Sequence, residues 1–284
     1  MEKMNADDSI YDWNLVSTVR PLAKNGRVVL YDETLRDGIQ SPSAVDPPIE
    51  EKIQLIHLMN ELGIDYADIG LPGAGPRAVE DVTRLAQEMV NTGMAMKASC
   101  AARTHINDIR PIVEISQSVG IEIEVMAFLG SSPIRQYAEN WDDDRLLQLS
   151  GDAIEFAASN NLPVSFVTED TVRSRPGTLE KLFKNAIEKG ARRFCLCDTV
   201  GHATPDGVRS LVEFSQGVID AVGMTGEVGL DWHGHNDRGL ALTNAIRALE
   251  AGADRIHGTA LGIGERVGNT AMDQLLLNLK LLGE

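Results

Sequence analysis

Three observations predict an α/β fold for this chain, a (β/α)8 barrel with a short N-terminal extension. Short apolar runs alternate with amphipathic stretches from Arg27 onward, as parallel strands and their crossover helices do. Several amphipathic stretches end at a glycine, where a left-handed residue commonly closes a helix. These glycines are Gly63, Gly93, Gly120, Gly190 and Gly252. A chain of 284 residues accommodates one barrel of about 250 residues.

The strand and helix patterns follow one another in a regular order along the chain. The predicted strands are Arg27–Thr34, Asp65–Leu71, Lys97–Ala102, Glu122–Leu129, Pro163–Thr168, Arg193–Asp198, Val228–His233 and Asp254–Leu261. The predicted helices are Ile49–Leu62, Arg77–Asn91, Ile106–Val119, Asp143–Ser159, Leu179–Lys189, Pro205–Val222, Leu240–Ala251 and Met272–Leu282. A doubly wound open sheet is the alternative, but no Gly-x-Gly-x-x-Gly turn follows the first strand. The pattern therefore favours the TIM-barrel architecture.

The predicted domain organisation is simple. Residues 1–26 form an N-terminal extension, in which Tyr11 and Trp13 indicate packing on the barrel or on a partner. Residues 27–284 form the TIM-barrel catalytic domain.

Composition and charge exclude several classes of partner. The net charge of −16 disfavours binding to nucleic acid or to an anionic membrane surface, because both require a basic face. Apolar runs are too short for a membrane span, and the N-terminus has no signal-peptide core. We therefore expect small-molecule substrates, no nucleic acid and no membrane.

Cysteine usage indicates a reducing compartment. Cys100, Cys195 and Cys197 are too few for a disulfide framework, so we expect a cytoplasmic protein. Cys195-x-Cys197 could supply two ligands of a metal site, but the sequence has no second cysteine pair. Small buried residues on one strand face are the favoured interpretation.

Two histidines at the end of the seventh predicted strand provide the strongest chemical signal. His233 and His235 follow the apolar run Val228–Leu230, and residues i and i+2 of a strand face the same side. Both imidazoles can then bind one divalent metal. Two core histidines are the alternative, but Asp231 and Asp237 nearby would make a poor apolar core.

Polar and ionisable residues cluster where the predicted strands end, the side of a barrel on which active sites form. Asp37, after the first strand, is the first choice for a third ligand, since a carboxylate beside two neutral imidazoles leaves positions open for substrate. A plain turn residue before Gly38 is the alternative. Arg36 would place a positive charge near a metal-bound carbonyl, and Asn269 could add an amide oxygen.

Three segments carry a family resemblance: Asp32–Gln40, His233–Asp237 and Gly262–Asn269. Together they resemble the signatures of the DRE-TIM metallolyase superfamily. The Gly-Glu-Arg-x-Gly-Asn form of the third segment is similar to that of 2-isopropylmalate, homocitrate and citramalate synthases. The resemblance extends from about Val28 to the C-terminus.

The resemblance implies a Claisen condensation of acetyl-CoA, the co-substrate, with a 2-oxo acid, followed by thioester hydrolysis. It also implies a role in amino-acid biosynthesis, which for 2-isopropylmalate synthase is leucine biosynthesis. Asp37, His233 and His235 would hold a divalent metal (Mg, Mn or Zn), with Asn269 close by. Arg36 would stabilise the oxygen charge that develops on the ketone.

Further site residues are implied by the same resemblance. Thr199 would hydrogen-bond the substrate carboxylate. Gln40, His105 and Glu169 match positions that line the acceptor pocket. Glu169 is also a candidate proton-transfer group, with a solvated loop acid as the alternative. Family members usually form homodimers or larger homo-oligomers, and we expect the same here.

The sequence also departs from the synthase pattern. Ile39 stands where synthases have Glu, and Arg135, Arg175 and Arg238 stand where other residue types are usual. These changes leave the identity of the 2-oxo acid open. We also expect the accessory and leucine-sensing domains of long synthases to be absent.

Two other functions are kept as alternatives. A carbon–carbon lyase of the hydroxymethylglutaryl-CoA lyase type would run similar chemistry backwards, but those lyases carry a reactive Cys after the eighth strand. Here no Cys follows Cys197. The second alternative is a non-catalytic barrel that binds metal or a carboxylic acid.

Overall fold

A computed structural model describes residues 27–282 and contains eight parallel strands closed into one barrel. The strands are β1 (Val29–Asp32), β2 (Tyr66–Asp68), β3 (Lys97–Arg103), β4 (Ile123–Gly130), β5 (Val164–Glu169), β6 (Arg193–Asp198), β7 (Gly229–Gly234) and β8 (Arg255–Gly258). Each strand pairs in parallel with the next, and β8 pairs with β1, where Val29 lies opposite Arg255. The predicted TIM barrel is confirmed. The predicted extension, with Tyr11 and Trp13, lies outside the described residues.

Helices surround the barrel. They are α1 (Ile49–Glu61), α2 (Pro76–Thr92), α3 (Ile106–Val119), α4 (Pro133–Glu139), α5 (Asp143–Ser159), α6 (Pro176–Lys189), α7 (Pro205–Ala221), α8 (Ala241–Ala251) and α9 (Met272–Leu281). The sequence prediction missed α4, whose seven residues are too few to show a helical period. It also placed the start of α6 at Leu179, whereas Pro176 begins that helix, as proline readily does at a first helical position. No helix within residues 27–282 combines the length and the apolarity that a bilayer crossing requires.

The predicted helix-closing glycines behave as expected. Gly93 ends α2 with φ of 63° and ψ of 41°, in the left-handed region that side chains disfavour. The other four glycines also have positive φ. The glycines in the sequence therefore predicted correctly where these helices end.

Two kinds of core hold the barrel. Apolar side chains fill the layer between the outer face of the strands and the helices; fully buried examples are Ile56, Leu85 and Phe183. Inside the barrel a small cluster contains Tyr31, Met126, Cys195 and Cys197. All three cysteines are buried and free, and the sulfurs of Cys195 and Cys197 are 3.8 Å apart. The pair packs as small interior residues of β6, as the sequence analysis favoured.

Charged residues also lie inside the barrel. Arg255 from β8 donates hydrogen bonds to Glu124 of β4 at 2.7 Å and to Asp231 of β7 at 2.6 Å. Its guanidinium also lies over the rings of Tyr31 and Tyr66, at 4.7 and 4.4 Å from their centroids. A fully buried arginine is thus satisfied on every side, because an unpaired buried charge would be costly. This ion pair crosses the barrel directly below the site described next.

Candidate metal and active site

The paired histidines occupy the carboxyl end of β7. His233 is on the strand and His235 lies one residue beyond it, where it forms an isolated bridge with Asn269. Asp37 approaches from the loop after β1, where Gly38 N donates to Glu33 O at 3.0 Å and Gln40 N donates to Asp37 O at 3.0 Å. This tight turn directs the Asp37 carboxylate to the histidines, so the predicted triad comes together in space.

The three side chains form a compact donor set. His233 Nε2 and His235 Nε2 are 3.2 Å apart, and Asp37 Oδ2 lies 3.6 Å from each of them. Tetrahedral or octahedral coordination at about 2.1 Å from each donor would separate donors by about 3.0–3.4 Å. All three residues are buried, and their donors are grouped closely enough for one ion. The residues therefore fit a divalent metal.

Their protonation states suit metal binding. Burial lowers the pKa of His233 to about 3, and burial together with the neighbouring His233 lowers the pKa of His235 to about 3. Burial alone would raise the pKa of Asp37, but Arg36 and the two histidines hold it well below its usual range. At neutral pH the site therefore offers two neutral imidazoles and one carboxylate, the forms that bind metal.

Asn269 supports the carboxylate. Its Nδ2 donates to Asp37 Oδ1 at 2.9 Å, and its Oδ1 is buried with no hydrogen-bond partner among residues 27–282. A buried amide oxygen without a partner is expensive unless something occupies it, and a metal ion or its water would do so. Asn269 thus lies beside the triad, where the sequence analysis expected it.

The glycine-rich loop after β8 packs against this support. Gly264 has φ of 156°, and a Cβ there would lie 2.0 Å from Asn269 Nδ2 and 2.8 Å from Asp37 Oδ1. Arg266 in the same loop bonds Asp237 at 2.8 and 2.9 Å. The loop therefore closes over Asp37 without a side chain at its tightest point.

Arg36 lies among three carboxylates. It contacts Glu33, and it lies 3.3 Å from Asp37 and 3.5 Å from Asp68. Burial would lower the pKa of Arg36, but Asp37 and Asp68 raise it above its usual value. Burial raises the pKa of Asp68 to about 6, although Arg36 opposes this. The guanidinium is therefore a fixed positive charge beside the donor set.

A cavity of about 300 Å³ opens in front of these residues. Seven of the predicted site residues line it: Arg36, Asp37, Gln40, Glu169, Thr199, His233 and His235. The opposite wall comes from β3 to β6 and is mostly apolar; it contains Ala101, Met126, Phe128, Val167, Cys195 and Cys197. The cavity therefore has a charged, metal-ready side and an apolar side.

Comparison with known proteins identifies the family. A family model described as HMGL-like matches residues 27–283. The chain belongs to the HMGL-like family. This confirms the DRE-TIM resemblance that the three sequence segments carried.

The relatives that match by sequence are synthases, and a solved structure with a similar fold is a lyase. A 2-isopropylmalate synthase of Heliobacterium modesticaldum is 35% identical over 255 residues, covering 89% of this chain and 48% of the relative. A homocitrate synthase of Methanopyrus kandleri is 32% identical over 266 residues, covering 93% of this chain and 62% of the relative. A solved hydroxymethylglutaryl-CoA lyase of Pseudomonas aeruginosa has a TM-score of 0.72 and 22% identity, covering 90% of this chain and 86% of that one, which shows a shared fold. The chain spans about half the length of the first curated relatives it matches.

Thr199 and Glu169, two further polar candidates at the cavity, differ in environment. Thr199 Oγ1 accepts a hydrogen bond from Asp170 N at 2.8 Å, which leaves its hydroxyl proton free to donate. Burial raises the pKa of Glu169, whose Oε1 lies 3.7 Å from Arg135 Nε. Arg135, one of the departures from the synthase pattern, therefore acts on the site through Glu169.

The structure does not bring His105 to the cavity. His105 is exposed at the start of α3, where its Nδ1 accepts from Asn107 N at 3.1 Å and caps the helix. His105 is not among the residues that line the cavity. Arg175 and Arg238 are also exposed and outside the lining, and Arg238 donates to His202 O at 2.9 Å.

Sequence reasoning missed several residues that contact the site. Asp68 pairs with Arg36, while Glu33 and His257 lie behind His233. A signal was present: ionisable residues recur at every second position in Asp231-x-His233 and Arg255-x-His257. Alternation of this kind places ionisable side chains on the strand face that points into the barrel, as it does for the two histidines.

Proposed function

We propose that this chain is the catalytic barrel of a metal-dependent acyltransferase that condenses acetyl-CoA with a 2-oxo acid, as 2-isopropylmalate synthases do. The observation that carries the proposal is the meeting of Asp37, His233 and His235 beside Arg36 at one cavity. The synthase names of the relatives at 35% and 32% identity support the same class of reaction.

The proposed reaction forms one carbon–carbon bond and cleaves one thioester. The acetyl methyl group of acetyl-CoA loses a proton to a base, and its carbon forms a bond with the ketone carbon of the 2-oxo acid. The ketone oxygen becomes an alkoxide and takes a proton. Water then cleaves the thioester, so that the products are a 2-hydroxy dicarboxylic acid and free CoA thiol.

The chain's own residues have distinct parts in this scheme. A divalent metal bound by Asp37, His233 and His235 would supply Lewis-acid polarisation of the ketone. The Arg36 guanidinium stabilises the negative charge that develops on the ketone oxygen. Thr199 donates its free hydroxyl proton to the acceptor carboxylate. The pKa of Glu169, raised by burial, suits a group that exchanges protons at the cavity mouth.

The cavity favours an acceptor with an apolar side chain. Among residues 27–282, Arg36 is the one lysine or arginine that lines this cavity, and three carboxylates already surround it. A second acceptor carboxylate would therefore meet the apolar wall or the acids Glu169 and Glu265. We expect 2-oxoisovalerate and similar apolar acids to react faster than 2-oxoglutarate or oxaloacetate.

Release of free thiol from acetyl-CoA tests the proposal directly. The purified chain is given Mg, Mn or Zn and each 2-oxo acid in turn, and thiol is measured with a chromogenic disulfide. We expect release that depends on the 2-oxo acid and stops when a chelator is added. If no 2-oxo acid supports release with any of the metals, the proposal for this chain is wrong.

Matched variants assign the site. Asp37→Ala and His235→Ala should abolish metal-dependent release. Asp152→Ala, an exposed acid of α5, and His57→Ala, a partly exposed histidine of α1, should leave it unchanged. Metal binding without thiol release would favour the non-catalytic alternative. Release of acetyl-CoA from hydroxymethylglutaryl-CoA would favour the lyase.

A further inference from the structure

Glu33 lies directly behind one of the two paired histidines. Its Oε1 is 2.9 Å from His233 Nδ1, on the side of the ring opposite the Nε2 atom that faces Asp37. The same oxygen lies 2.6 Å from His257 Nδ1. The Glu33 side chain is 4% exposed, so solvent does not compete for these contacts.

Glu33 is itself anchored across the barrel. His257 Nε2 lies 3.1 Å from Asp231 Oδ2, and Arg255 donates to the same oxygen at 2.6 Å. Arg255 in turn bonds Glu124 on the opposite side of the barrel. Because every member of this chain of contacts is buried and belongs to or adjoins a strand, the Glu33 carboxylate has little freedom to move.

We propose that Glu33 is a positioning residue that fixes the tautomer and the ring orientation of His233. A neutral imidazole carries one N–H. With its proton on Nδ1, facing the Glu33 carboxylate, His233 keeps the Nε2 lone pair free and directed at Asp37 and His235. This inference rests on the proposed metal site, since it assigns how one of its ligands is held.

His235 is held in a different way from His233. His235 Nδ1 is buried without a hydrogen-bond partner among the described residues, and its backbone N–H donates to Asp198 O at 3.1 Å. His235 is therefore held through its backbone, whereas His233 is held through its ring. The other oxygen of Glu33 contacts Arg36, so one carboxylate fixes both the metal-facing imidazole and the guanidinium.

The first test reads the tautomer without metal. Nitrogen-15 NMR of the metal-free 284-residue chain distinguishes Nδ1–H from Nε2–H imidazoles, and His233→Ala identifies the His233 signals among the six histidines. We expect the Nδ1–H form of His233 in the unmodified chain. Observation of the Nε2–H form there overturns the proposal, whatever the variants do.

The second test measures Mn²⁺ affinity by calorimetry. Glu33→Leu should weaken binding by at least about 10-fold and up to about 100-fold, the range seen when partners of metal ligands are removed. Glu33→Gln keeps an acceptor oxygen and should restore part of the loss. Glu88→Leu removes a carboxylate that lies 2.7 Å from His57 Nε2, a Glu–His contact between α2 and α1 outside the cavity lining, and should bind Mn²⁺ as the unmodified chain does.

The outcomes separate this inference from the proposed function. If the unmodified chain binds no Mn²⁺, the proposed metal site itself fails. If it binds Mn²⁺ and Glu33→Leu loses less than about 10-fold in affinity, or no more than Glu88→Leu, the positioning role is refuted. If Glu33→Leu does not fold, the test uses Glu33→Gln and the tautomer of His233. A Glu33→Gln variant that binds Mn²⁺ normally while His233 is in the Nε2–H form refutes the role.

Discussion

Replacing Asp32 with asparagine should stabilise the protein at neutral pH and leave its stability at acid pH unchanged. Asp32 ends β1 and is 3% exposed, and its Oδ1 accepts a hydrogen bond from Thr34 N at 2.7 Å. Burial raises the pKa of Asp32 from 3.8 to about 6, against the opposing effect of the Thr34 hydrogen bonds. Asparagine keeps the accepting oxygen and removes the ionisable group.

The size of the effect follows from the pKa difference. Below pH 3.8 the folded and unfolded states both hold the Asp32 proton. Between pH 3.8 and about 6 only the folded state holds it, so stability falls as the pH rises. Each unit of pKa shift corresponds to about 1.4 kcal/mol, which gives about 3 kcal/mol in total. Above pH 6 that loss is constant, and Asp32→Asn escapes it.

Urea unfolding at pH 4 and at pH 7.5 measures this difference. The two proteins should have similar unfolding free energies at pH 4, and Asp32→Asn should be more stable by about 3 kcal/mol at pH 7.5. For a domain of this size that corresponds to a rise in Tm of about 6–12 °C. Asp152→Asn, an exposed substitution on α5, controls for the change of residue type. A variant that is equally or less stable at pH 7.5 would refute the reasoning.

Two further substitutions test the barrel interior and the loop. Arg255→Met leaves the carboxylates of Asp231 and Glu124 buried without their shared cation, and should lower the unfolding free energy by about 3–5 kcal/mol in urea titrations; a loss below about 1 kcal/mol would contradict a structural role for the ion pair. Gly264→Ala places a methyl group on the Asn269 amide and should weaken Mn²⁺ binding, measured by calorimetry, more than it lowers Tm; unchanged Mn²⁺ affinity would show that Asn269 does not support the site.

The sequence predicted the fold and the triad because both depend on short-range patterns. Helix ends followed from glycines such as Gly93, and the facing of His233 and His235 followed from the two-residue period of a strand. Asp37 was found because active sites of barrels form at the carboxyl ends of strands. In each case a local rule, together with closure of the barrel, was enough to predict that the residues come together.

The ionic interior could not be predicted in the same way. Register between β7 and β8 places Asp231 opposite Arg255, and register between β1 and β8 places Tyr31 opposite His257, whose rings stack at 4.0 Å. No local rule gives register in a closed barrel of parallel strands. The resemblance placed His105 at the acceptor pocket, whereas in the structure its ring caps α3 outside the cavity lining.

Other expectations stay predictions. The boundary of the N-terminal extension falls at the edge of the described residues, 27–282. The homo-oligomeric state and the cytoplasmic location also stay predictions. The identity of the metal is open among Mg, Mn and Zn, because two nitrogens and one carboxylate suit all three to different degrees.

The charge of the cavity sets an order of binding. Within the described part of the chain, its lining has five carboxylates and one guanidinium, so these side chains make it strongly negative. Both proposed substrates are anions and would be repelled, whereas a divalent cation would be attracted. On electrostatic grounds we therefore expect the cation to bind before the acceptor, and Glu33 would contribute to that order twice. Its charge would attract the cation, and its carboxylate, 2.9 Å from His233 Nδ1, would hold that ring in place to receive it.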